Sequence, residues 1–422
     1  MDKIRIIGGN TLNGRIRIKG AKNAVLPLMA AALLTEDEVI LRDVPNLSDI
    51  RTMTKVLLHL GAEVSINDDE LHIKANNVNC FEAPYELVSK MRASFWVLGP
   101  LVGRFHQAKV SLPGGCAIGT RPVDRHLYAM DQLGVKIDIE NGYVLASGKP
   151  KGNKIYFQIK TVGGTMNALM ASVLAEGTTE IINAAAEPEV TDLANCLVKM
   201  GASIEGIGTS RLVINGVEKL HGVTHTVVPD RIEAATYAIA TGITGGQLFI
   251  ENAHLYLIED VAFSLSHMGL DILEKDNGLF VKTPNTRLKA TDITTEEFPG
   301  FPTDVQAQIM ALMCLADGTS TVTENIFENR FMHVQELVRM GADIRLQGSR
   351  TAIVKGVDQL SGAQVMASDL RASAALVLAG LAAKGETIVS RIYHLDRGYD
   401  HMEEKLRACG ANIERIKENP NE

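Results

Sequence analysis

One pattern of apolar and polar positions occurs six times along the chain. Each copy follows apolar residues at helical spacing and contains a glycine, an apolar residue, a polar residue and a β-branched residue. Glycine ends a helix readily because it adopts the left-handed backbone conformation without strain, and the alternation after it is typical of a strand. Each copy therefore predicts a helix, a glycine turn and a strand. The copies are Leu60-Gly61-Ala62-Glu63-Val64, Leu133-Gly134-Val135-Lys136-Ile137, Met200-Gly201-Ala202-Ser203-Ile204, Met268-Gly269-Leu270-Asp271-Ile272, Met340-Gly341-Ala342-Asp343-Ile344 and Cys409-Gly410-Ala411-Asn412-Ile413.

The copies start about 70 residues apart, which indicates a repeated structural unit. A second helix, glycine and strand are predicted ahead of the pattern, in residues 174–181, 315–322 and 381–388. The order indicates a βαβαββ unit, which is too small to bury its own apolar faces. Six units favour two α/β domains of three units each, with a boundary near residues 228–231, where Pro229 predicts a helix start.

Composition narrows the class of protein. The 422 residues are 46% hydrophobic and 22% charged, as is ordinary for globular proteins, and the formal net charge of −8 argues against broad nucleic-acid or membrane-surface binding. The longest apolar runs, residues 26–34 and 372–383, are shorter than the roughly 20 residues of a membrane span. The first of these runs predicts a helix that begins near Leu26. The N-terminus has no signal-like apolar core, so we expect a cytoplasmic protein.

Cysteine and histidine spacing gives no sign of a metal or disulfide framework. The five cysteines, which include Cys116, are scattered and contain no C-x-x-C pair, so we expect free thiols. The eleven histidines show no ligand pairing on one helix face, and His126, His333 and His394 are interpreted as core or surface residues. We predict no metal and no cofactor.

The segment around Cys116 carries the most suggestive chemistry. Val110 and Leu112 alternate with polar residues as in a half-buried strand, and Pro113-Gly114-Gly115 ends that strand. Pro122 then suits the first turn of a helix with the apolar face Val123, Leu127, Met130 and Leu133. Arg121 is thereby placed beside the unpaired N–H groups of a helix N-terminus, which favours anion binding.

Several segments together resemble one known family. They are residues 113–124, Lys22-Asn23 and residues 301–308, supported by residues 91–94, 327–333, 368–373 and 396–399. The chain resembles, from end to end, the bacterial enolpyruvyl transferases that use UDP-N-acetylglucosamine. The resemblance implies two inside-out α/β barrel domains with an active-site cleft between them. It also implies that the first ~20 residues cross over, which gives an N-terminal domain of residues 21–229 and a C-terminal domain of residues 1–20 plus 230–422.

The resemblance implies transfer of the enolpyruvyl group of phosphoenolpyruvate to the sugar 3′-hydroxyl, with loss of phosphate. Lys22, Arg121 and Arg397 would clamp phosphoenolpyruvate, since guanidinium groups match carboxylate and phosphate oxygens. Arg330 is a further candidate. The residues predicted to bind phosphoenolpyruvate are Lys22, Asn23, Arg92, Arg121, Arg371 and Arg397.

Two residues are predicted to move protons, and Lys22 and Arg397 are grouped with them as catalytic. Cys116 resembles the proton donor to the methylene carbon, which also forms a covalent adduct with phosphoenolpyruvate and is alkylated by fosfomycin in the family. Asp304 resembles the base that takes the hydroxyl proton. From local sequence, Asp304 is equally well interpreted as a helix N-cap ahead of Ile309, Leu312 and Met313.

The resemblance also implies a binding site for the nucleotide sugar. Arg125 stands where the family commonly has leucine, and Thr161 stands where serine is usual, so the contact of Arg125 with uridine is the least secure of the set. The implied residues are Asn23, Arg92, Arg121, Pro122, Val123, Asp124, Arg125, Lys160, Thr161, Val162, Gly163, Asp304 and Ile326.

Two alternatives stay open. One is 5-enolpyruvylshikimate-3-phosphate synthase, which shares the six-unit fold and transfers the same group. The other is a non-catalytic ring of repeated units, of the DNA sliding-clamp type, in which a cysteine loop and an arginine cluster would have no purpose. We predict the two small-molecule substrates as partners, with no nucleic acid, membrane or obligate protein partner.

Overall fold

The computed structural model describes residues 2–113 and 123–417, so Cys116, Arg121 and Pro122 lie outside the described residues. Contacts between residues divide the described chain into two compact units. The N unit comprises residues 20–113 and 123–228, and the C unit comprises residues 2–19 and 229–417.

The helices of the described chain are short, and five 3₁₀ segments accompany them. The helices are α1 Lys22–Ala31, α2 Ser48–Leu60, α3 Tyr85–Val88, α4 Leu98–Phe105, α5 Asp124–Gln132, α6 Val162–Ser172, α7 Pro188–Lys199, α8 Arg231–Thr244, α9 Glu259–Met268, α10 Gln306–Met313, α11 Val334–Arg339, α12 Leu370–Ala382 and α13 Met402–Ala408. The 3₁₀ segments are Ala32–Leu34, Arg92–Val97, Leu255–Leu257, Thr303–Val305 and Ile392–Arg397.

The strands have two to five residues each. They are β1 Lys3–Ile7, β2 Asn13–Arg17, β3 Val39–Arg42, β4 Glu63–Asn67, β5 Glu70–Lys74, β6 Glu82–Ala83, β7 Gln107–Ser111, β8 Lys136–Glu140, β9 Tyr143–Ser147, β10 Lys154–Tyr156, β11 Thr178–Ile182, β12 Ser203–Glu205, β13 Arg211–Asn215, β14 Val223–Thr226, β15 Gln247–Glu251, β16 Asp271–Lys275, β17 Gly278–Lys282, β18 Ile293–Thr294, β19 Thr319–Thr323, β20 Asp343–Gln347, β21 Thr351–Lys355, β22 Gln364–Met366, β23 Glu386–Ser390 and β24 Asn412–Ile416.

The strands form six sheets of four strands with one shared topology. In a repeated unit the first and second strands are parallel. The fourth strand lies between the second and the third and is antiparallel to both, as in β10-β11-β13-β12. This order is that of a βαβαββ unit, because a parallel pair needs a helical crossover whereas the last two strands form a hairpin. The predicted α/β class with six such units is confirmed.

The first strands of the chain complete two sheets of the C unit. β1 lies between β23 and β24, with Ile4 opposite Val389 and Ile6 opposite Ile413, and β2 is parallel to β15. Ile4 and Ile6 are fully buried, and each contributes roughly 2 to 3 kcal/mol of apolar burial. In the N unit, β14 at the end of that unit is parallel to β3 near its start.

Each of the six repeated βαβαββ units has an inner and an outer helix. The inner helices, which precede the second strand of each sheet, are α1, α4, α6, α8, α10 and α12, and they are buried along most of their length. The outer helices end at the six glycines of the repeated pattern. All six have a positive φ, which confirms the glycine turn predicted after each helix; they are Gly61, Gly134, Gly201, Gly269, Gly341 and Gly410.

Three helix starts differ from the prediction. α1 begins at Lys22 and not near Leu26, with Pro27 inside the helix. α8 begins at Arg231, because the side chain of Asp230, and not Pro229, caps its first turn. α5 begins at Asp124, with Val123 as the preceding residue.

The strand ahead of the cysteine loop is more buried than its alternation predicts. Val110 is fully buried, and so is Ser111, which the pattern assigned to the polar side. The Ser111 hydroxyl satisfies its hydrogen-bonding need with the carbonyl oxygen of Leu112 at 3.1 Å.

The structure also bears on the cysteines and on membrane insertion. Cys80, Cys196, Cys314 and Cys409 are free thiols. Across residues 2–113 and 123–417, no helix is both long and apolar enough to cross a membrane.

Candidate active site

In the N unit, Lys22 lies in the first turn of an inner helix rather than in a solvated loop. The Lys22 ammonium is 3.5 Å from a carboxylate oxygen of Asp49 on α2, and the two side chains are only 13% and 6% exposed. The preceding residue, Ala21, supplies no capping side chain to α1. The ammonium group of Lys22, held by Asp49, and the side-chain amide of Asn23 therefore lie at a helix N-terminus that has no acidic cap.

The two stretches implied to bind the nucleotide sugar lie side by side in this unit. Thr161 caps α6, because its hydroxyl oxygen accepts a hydrogen bond from the Gly164 N–H at 3.2 Å. A Cβ atom on Gly163 would lie 2.7 and 2.8 Å from two ring atoms of His126 on α5. The start of α6 therefore approaches α5 so closely that only glycine fits, and the N-termini of both helices meet there.

His126 lies in the core, one of the two predicted alternatives, against the start of α6. It is buried, and Asn167 Nδ2 is 2.8 Å from its Nδ1 atom while Asn167 Oδ1 accepts from the Gly99 N–H. Burial first, and the positive charge of Arg92 second, lower the pKa of His126 to about 3. His126 is therefore neutral at physiological pH, with Nδ1 as acceptor and the proton on Nε2.

The other N-unit residues that are predicted to bind the nucleotide sugar lie near the starts of α5 and α6. Asp124 is exposed, whereas Arg125 and residues 160–163 are half-buried. The Cβ of Arg125 is 3.4 Å from the position that a Cβ on Gly164 would take. The structure thus brings the starts of α5 and α6 together, with the charge of Arg92 acting on His126, and the binding of a nucleotide by these residues stays a prediction.

In the C unit, the Asp304 carboxylate is bound by two arginines. Arg330 donates to one oxygen at 2.9 Å and Arg371 donates to the other at 2.8 Å. Both guanidinium groups are buried, whereas Asp304 is 27% exposed. These two charge-assisted hydrogen bonds fix the orientation of the carboxylate.

The interpretation of Asp304 as a helix N-cap is wrong. Asp304 lies inside the 3₁₀ segment Thr303–Val305, and neither that segment nor α10 receives a side-chain cap. The Thr303 hydroxyl donates to the Glu324 carboxylate at 3.0 Å instead. Guanidinium groups form stronger hydrogen bonds with a carboxylate than a neutral backbone N–H does. The Asp304 carboxylate therefore binds the two arginines and does not cap the helix.

Arg371 is the second residue of the inner helix α12, whose N-terminus is capped by a side chain. The Asp369 carboxylate accepts from the backbone N–H groups of Arg371 and Ala372 at 2.9 and 3.0 Å. Burial lowers the pKa of Arg371, but the charges of Asp304, Tyr399 and Asp230 and the hydrogen bond to Asp304 together outweigh it, so the pKa is raised above its ordinary value. Arg371 therefore stays charged in the core.

The other C-unit residues of the prediction lie in short irregular segments. Ile326 is half-buried, and its N–H donates to Glu324 Oε1 at 2.8 Å. Arg397 ends the 3₁₀ segment Ile392–Arg397 and is half-buried. Burial first, and Arg397 second, lower the pKa of His394. Burial also lowers the pKa of His333 to about 4.

The described part of the chain holds no group of three or more side chains suited to a metal ion. Cys116, Arg121 and Pro122 lie outside the described residues, so the structure does not place the proton donor or the loop arginine. The roles of all these site residues stay predictions.

The six-unit fold with these two groups of side chains is that of the carboxyvinyltransferases. The chain matches the family model described as EPSP synthase (3-phosphoshikimate 1-carboxyvinyltransferase) over residues 6–406, and it belongs to this family.

Relatives within the family carry a more specific name. A UDP-N-acetylglucosamine 1-carboxyvinyltransferase of Paramagnetospirillum magneticum is 56% identical over 429 aligned residues, which cover 99% of each chain. One of Rhodopseudomonas palustris is also 56% identical, over 99% of this chain and 100% of the relative.

Solved structures share the whole fold. The enolpyruvyl transferase NikO of Streptomyces tendae superposes with a TM-score of 0.89 at 25% identity, over 98% of each chain. An EPSP synthase of Acinetobacter baumannii has a TM-score of 0.76 at 17% identity, over 99% of this chain and 100% of that one, which shows likeness of fold alone.

Proposed function

We propose that this chain transfers the enolpyruvyl group of phosphoenolpyruvate to the 3′-hydroxyl of UDP-N-acetylglucosamine and releases phosphate, the first committed step of peptidoglycan synthesis. The observation that carries the proposal is the 56% identity, over nearly the full length of both chains, with relatives named for this acceptor. The shikimate alternative has weaker support, since the EPSP synthase structure is only 17% identical. Family membership also argues against a sliding-clamp ring.

The N unit supports the proposal through its helix N-termini. α1 has no side-chain cap, and α6 is capped only by the neutral hydroxyl of Thr161, so neither N-terminus is neutralised by an acid. Such termini bind anions through their free N–H groups and dipole. We assign the diphosphate of the nucleotide to the start of α6, together with Lys160 and Arg125.

The C unit supports the proposal through Asp304. The two arginines hold the carboxylate in one orientation, and we assign to it the proton of the sugar 3′-hydroxyl. One nitrogen of Arg371 already donates to Asp304, so any contact of Arg371 with phosphoenolpyruvate falls to its other nitrogens. We assign the anionic groups of phosphoenolpyruvate to Lys22, Arg121 and Arg397.

The chemistry assigned to these residues balances in two steps. In the addition, the sugar oxygen bonds to C2 of phosphoenolpyruvate, its proton passes to Asp304, and the Cys116 thiol delivers a proton to C3. In the elimination, C3 loses a proton, the C2–C3 double bond re-forms and phosphate leaves with its oxygen. No cofactor or metal enters this scheme, and we propose the cytoplasm as its location.

The assay that tests the proposal measures phosphate release from phosphoenolpyruvate with two acceptors. We expect turnover with UDP-N-acetylglucosamine and none with shikimate 3-phosphate. Turnover with shikimate 3-phosphate alone would overturn the assignment of the acceptor, and no release with either would overturn the activity.

A second assay tests the role of Cys116. We expect Cys116→Ser to lose most turnover, because a hydroxyl is a far weaker acid than a thiol, and Cys116→Asp to retain part of it. Fosfomycin should inactivate the parent and spare the Asp variant. Full activity of the Ser variant, with a parent indifferent to the drug, would remove Cys116 from the mechanism.

A further inference from the structure

A chain of buried hydrogen bonds lies beside Asp304 in the C unit and connects three elements. The Tyr399 hydroxyl is 2.9 Å from the Thr236 hydroxyl on α8, and Gln308 Nε2 on α10 donates to the Tyr399 hydroxyl at 3.1 Å. Gln308 Nε2 also donates to the backbone carbonyl of Asp304 at 2.8 Å. Thr236 and Gln308 are fully buried and Tyr399 is 2% exposed, so this chain is shielded from water.

The direction of these bonds follows from counting hydrogens. The Thr236 hydroxyl donates its only hydrogen to the Ile232 carbonyl at 2.7 Å, so it accepts from Tyr399. Tyr399 therefore donates to Thr236 and accepts from Gln308. Burial raises the pKa of Tyr399, which keeps that hydrogen in place. Gln308 Nε2 also lies 3.2 Å from the Thr236 hydroxyl oxygen, but its two hydrogens suit the two closer acceptors, the Asp304 carbonyl and the Tyr399 hydroxyl. Removing the Tyr399 hydroxyl would leave Gln308 with only the more distant Thr236 oxygen beside the Asp304 carbonyl.

Tyr399 also contacts Arg371, the arginine that binds the Asp304 carboxylate. The Arg371 guanidinium carbon lies 5.6 Å from the centre of the Tyr399 ring, within the range of a cation–π contact. Arg371 Nε is buried and has no hydrogen-bond partner among the described residues, so its own Nε does not fix the guanidinium orientation. The ring on one side and Asp304 Oδ2 on the other define where the guanidinium lies.

We propose that Tyr399 is a positioning residue for Asp304. Its hydroxyl holds the Asp304 backbone through Gln308, and its ring holds the Asp304 carboxylate through Arg371. The inference rests on the proposed function, in which Asp304 accepts the proton of the sugar hydroxyl. Tyr399 itself donates and accepts no proton in that reaction, and it acts by keeping the acceptor within reach of the hydroxyl.

The test removes the hydroxyl and keeps the ring. We expect Tyr399→Phe to lower kcat by about tenfold, since a small misplacement of a reacting group is costly, with little change in KM for UDP-N-acetylglucosamine. Thr236→Val, which removes the acceptor of the same hydrogen, should give the same split between kcat and KM. The matched control is Tyr237→Phe, because Tyr237 is equally buried on α8 and its hydroxyl takes no part in this chain. That control should keep the parent kcat.

A double variant separates positioning from general loosening of the core. In the Asp304→Asn background, Tyr399→Phe should add almost no further loss of kcat, because the residue that it positions is gone. Additive losses, or equal losses for Tyr237→Phe and Tyr399→Phe, would overturn the inference. If the parent turns over UDP-N-acetylglucosamine and Tyr399→Phe is unimpaired, the inference alone is overturned. If the parent shows no such turnover, the proposed function is overturned as well.

Discussion

The two units share one topology but begin their inner helices differently. In the C unit, aspartates cap α8 and α12, and each of them, Asp230 and Asp369, accepts from two backbone N–H groups. In the N unit, α1 follows Ala21 without a side-chain cap, and α6 has only the Thr161 hydroxyl, which binds one N–H at 3.2 Å. The N-termini of α8 and α12 in the C unit therefore have acidic caps, whereas those of α1 and α6 in the N unit do not.

This difference gives the repeated fold two kinds of chemistry. A helix N-terminus without an acidic cap binds external anions, which suits the N unit to a nucleotide diphosphate. A terminus with an acidic cap does not attract anions, and the C unit instead holds the Asp304 carboxylate between two arginines. We infer that the N unit contributes mainly to substrate binding and the C unit mainly to proton transfer from the acceptor.

The largest expected effect is that of Asp304→Asn. If Asp304 is the base of the C unit, kcat should fall by about 10²-fold or more, with a smaller change in KM for UDP-N-acetylglucosamine. Asp304→Asn should also destabilise the protein by about 2 to 3 kcal/mol, because it leaves two buried arginines without their counter-charge. Kinetics and chemical unfolding of the same preparation measure both effects. Parent-like stability together with parent-like kcat would contradict both roles.

Buried histidines in both units predict a loss of stability in acid. The pKa values of His126 and His333 are lowered to about 3 and about 4, from 6.5 in the unfolded chain. Between these values the unfolded state binds more protons, so stability is complete above pH 6.5 and falls as the pH is lowered towards 4. For one histidine, the loss between pH 7.5 and pH 5 is about 2 kcal/mol.

The measurement is the free energy of unfolding at those two pH values. His333→Leu should lose less stability at pH 5 than the parent does, by about 2 kcal/mol, since both of its ring nitrogens are buried without partners in the described structure. The exposed His59 provides the control, and His59→Gln should follow the parent. Parallel losses for His333→Leu and the parent would show that His333 does not resist protonation.

A smaller effect is expected when the N unit is given a cap of the C-unit type. Thr161→Asp should raise KM for UDP-N-acetylglucosamine by about tenfold, because an acid at the start of α6 neutralises the helix dipole and repels a diphosphate. Thr161→Asn caps the helix without charge and should stay close to the parent. An equal KM for the Asp and Asn variants would contradict the proposed position of the diphosphate.

Local signals predicted much of the fold because they act over short distances. The glycines after the outer helices were predictable, since a left-handed residue ends a helix whatever surrounds it, and their repetition predicted the six units. The start of α1 was not, because Pro27 suits a first turn but is tolerated inside this helix.

The candidate site was less predictable because its contacts span long distances in sequence. Asp304 has the local pattern of a cap, yet its partners, Arg330 and Arg371, lie 26 and 67 residues away. His126 is 41 residues from Asn167, and no motif relates the two. Only the folded chain shows that Gly163 lies against the His126 ring.

The most direct test of the account is the identity and isotope content of the product formed in deuterium oxide from phosphoenolpyruvate and UDP-N-acetylglucosamine. Addition followed by elimination delivers a solvent-derived proton to C3 and then removes one from the same carbon. The account therefore predicts a vinyl ether on the sugar 3′-oxygen with deuterium in its methylene group, detected by NMR and mass spectrometry. A 3′-product without deuterium would contradict the proton transfer assigned to Cys116, and no 3′-product would contradict the function itself.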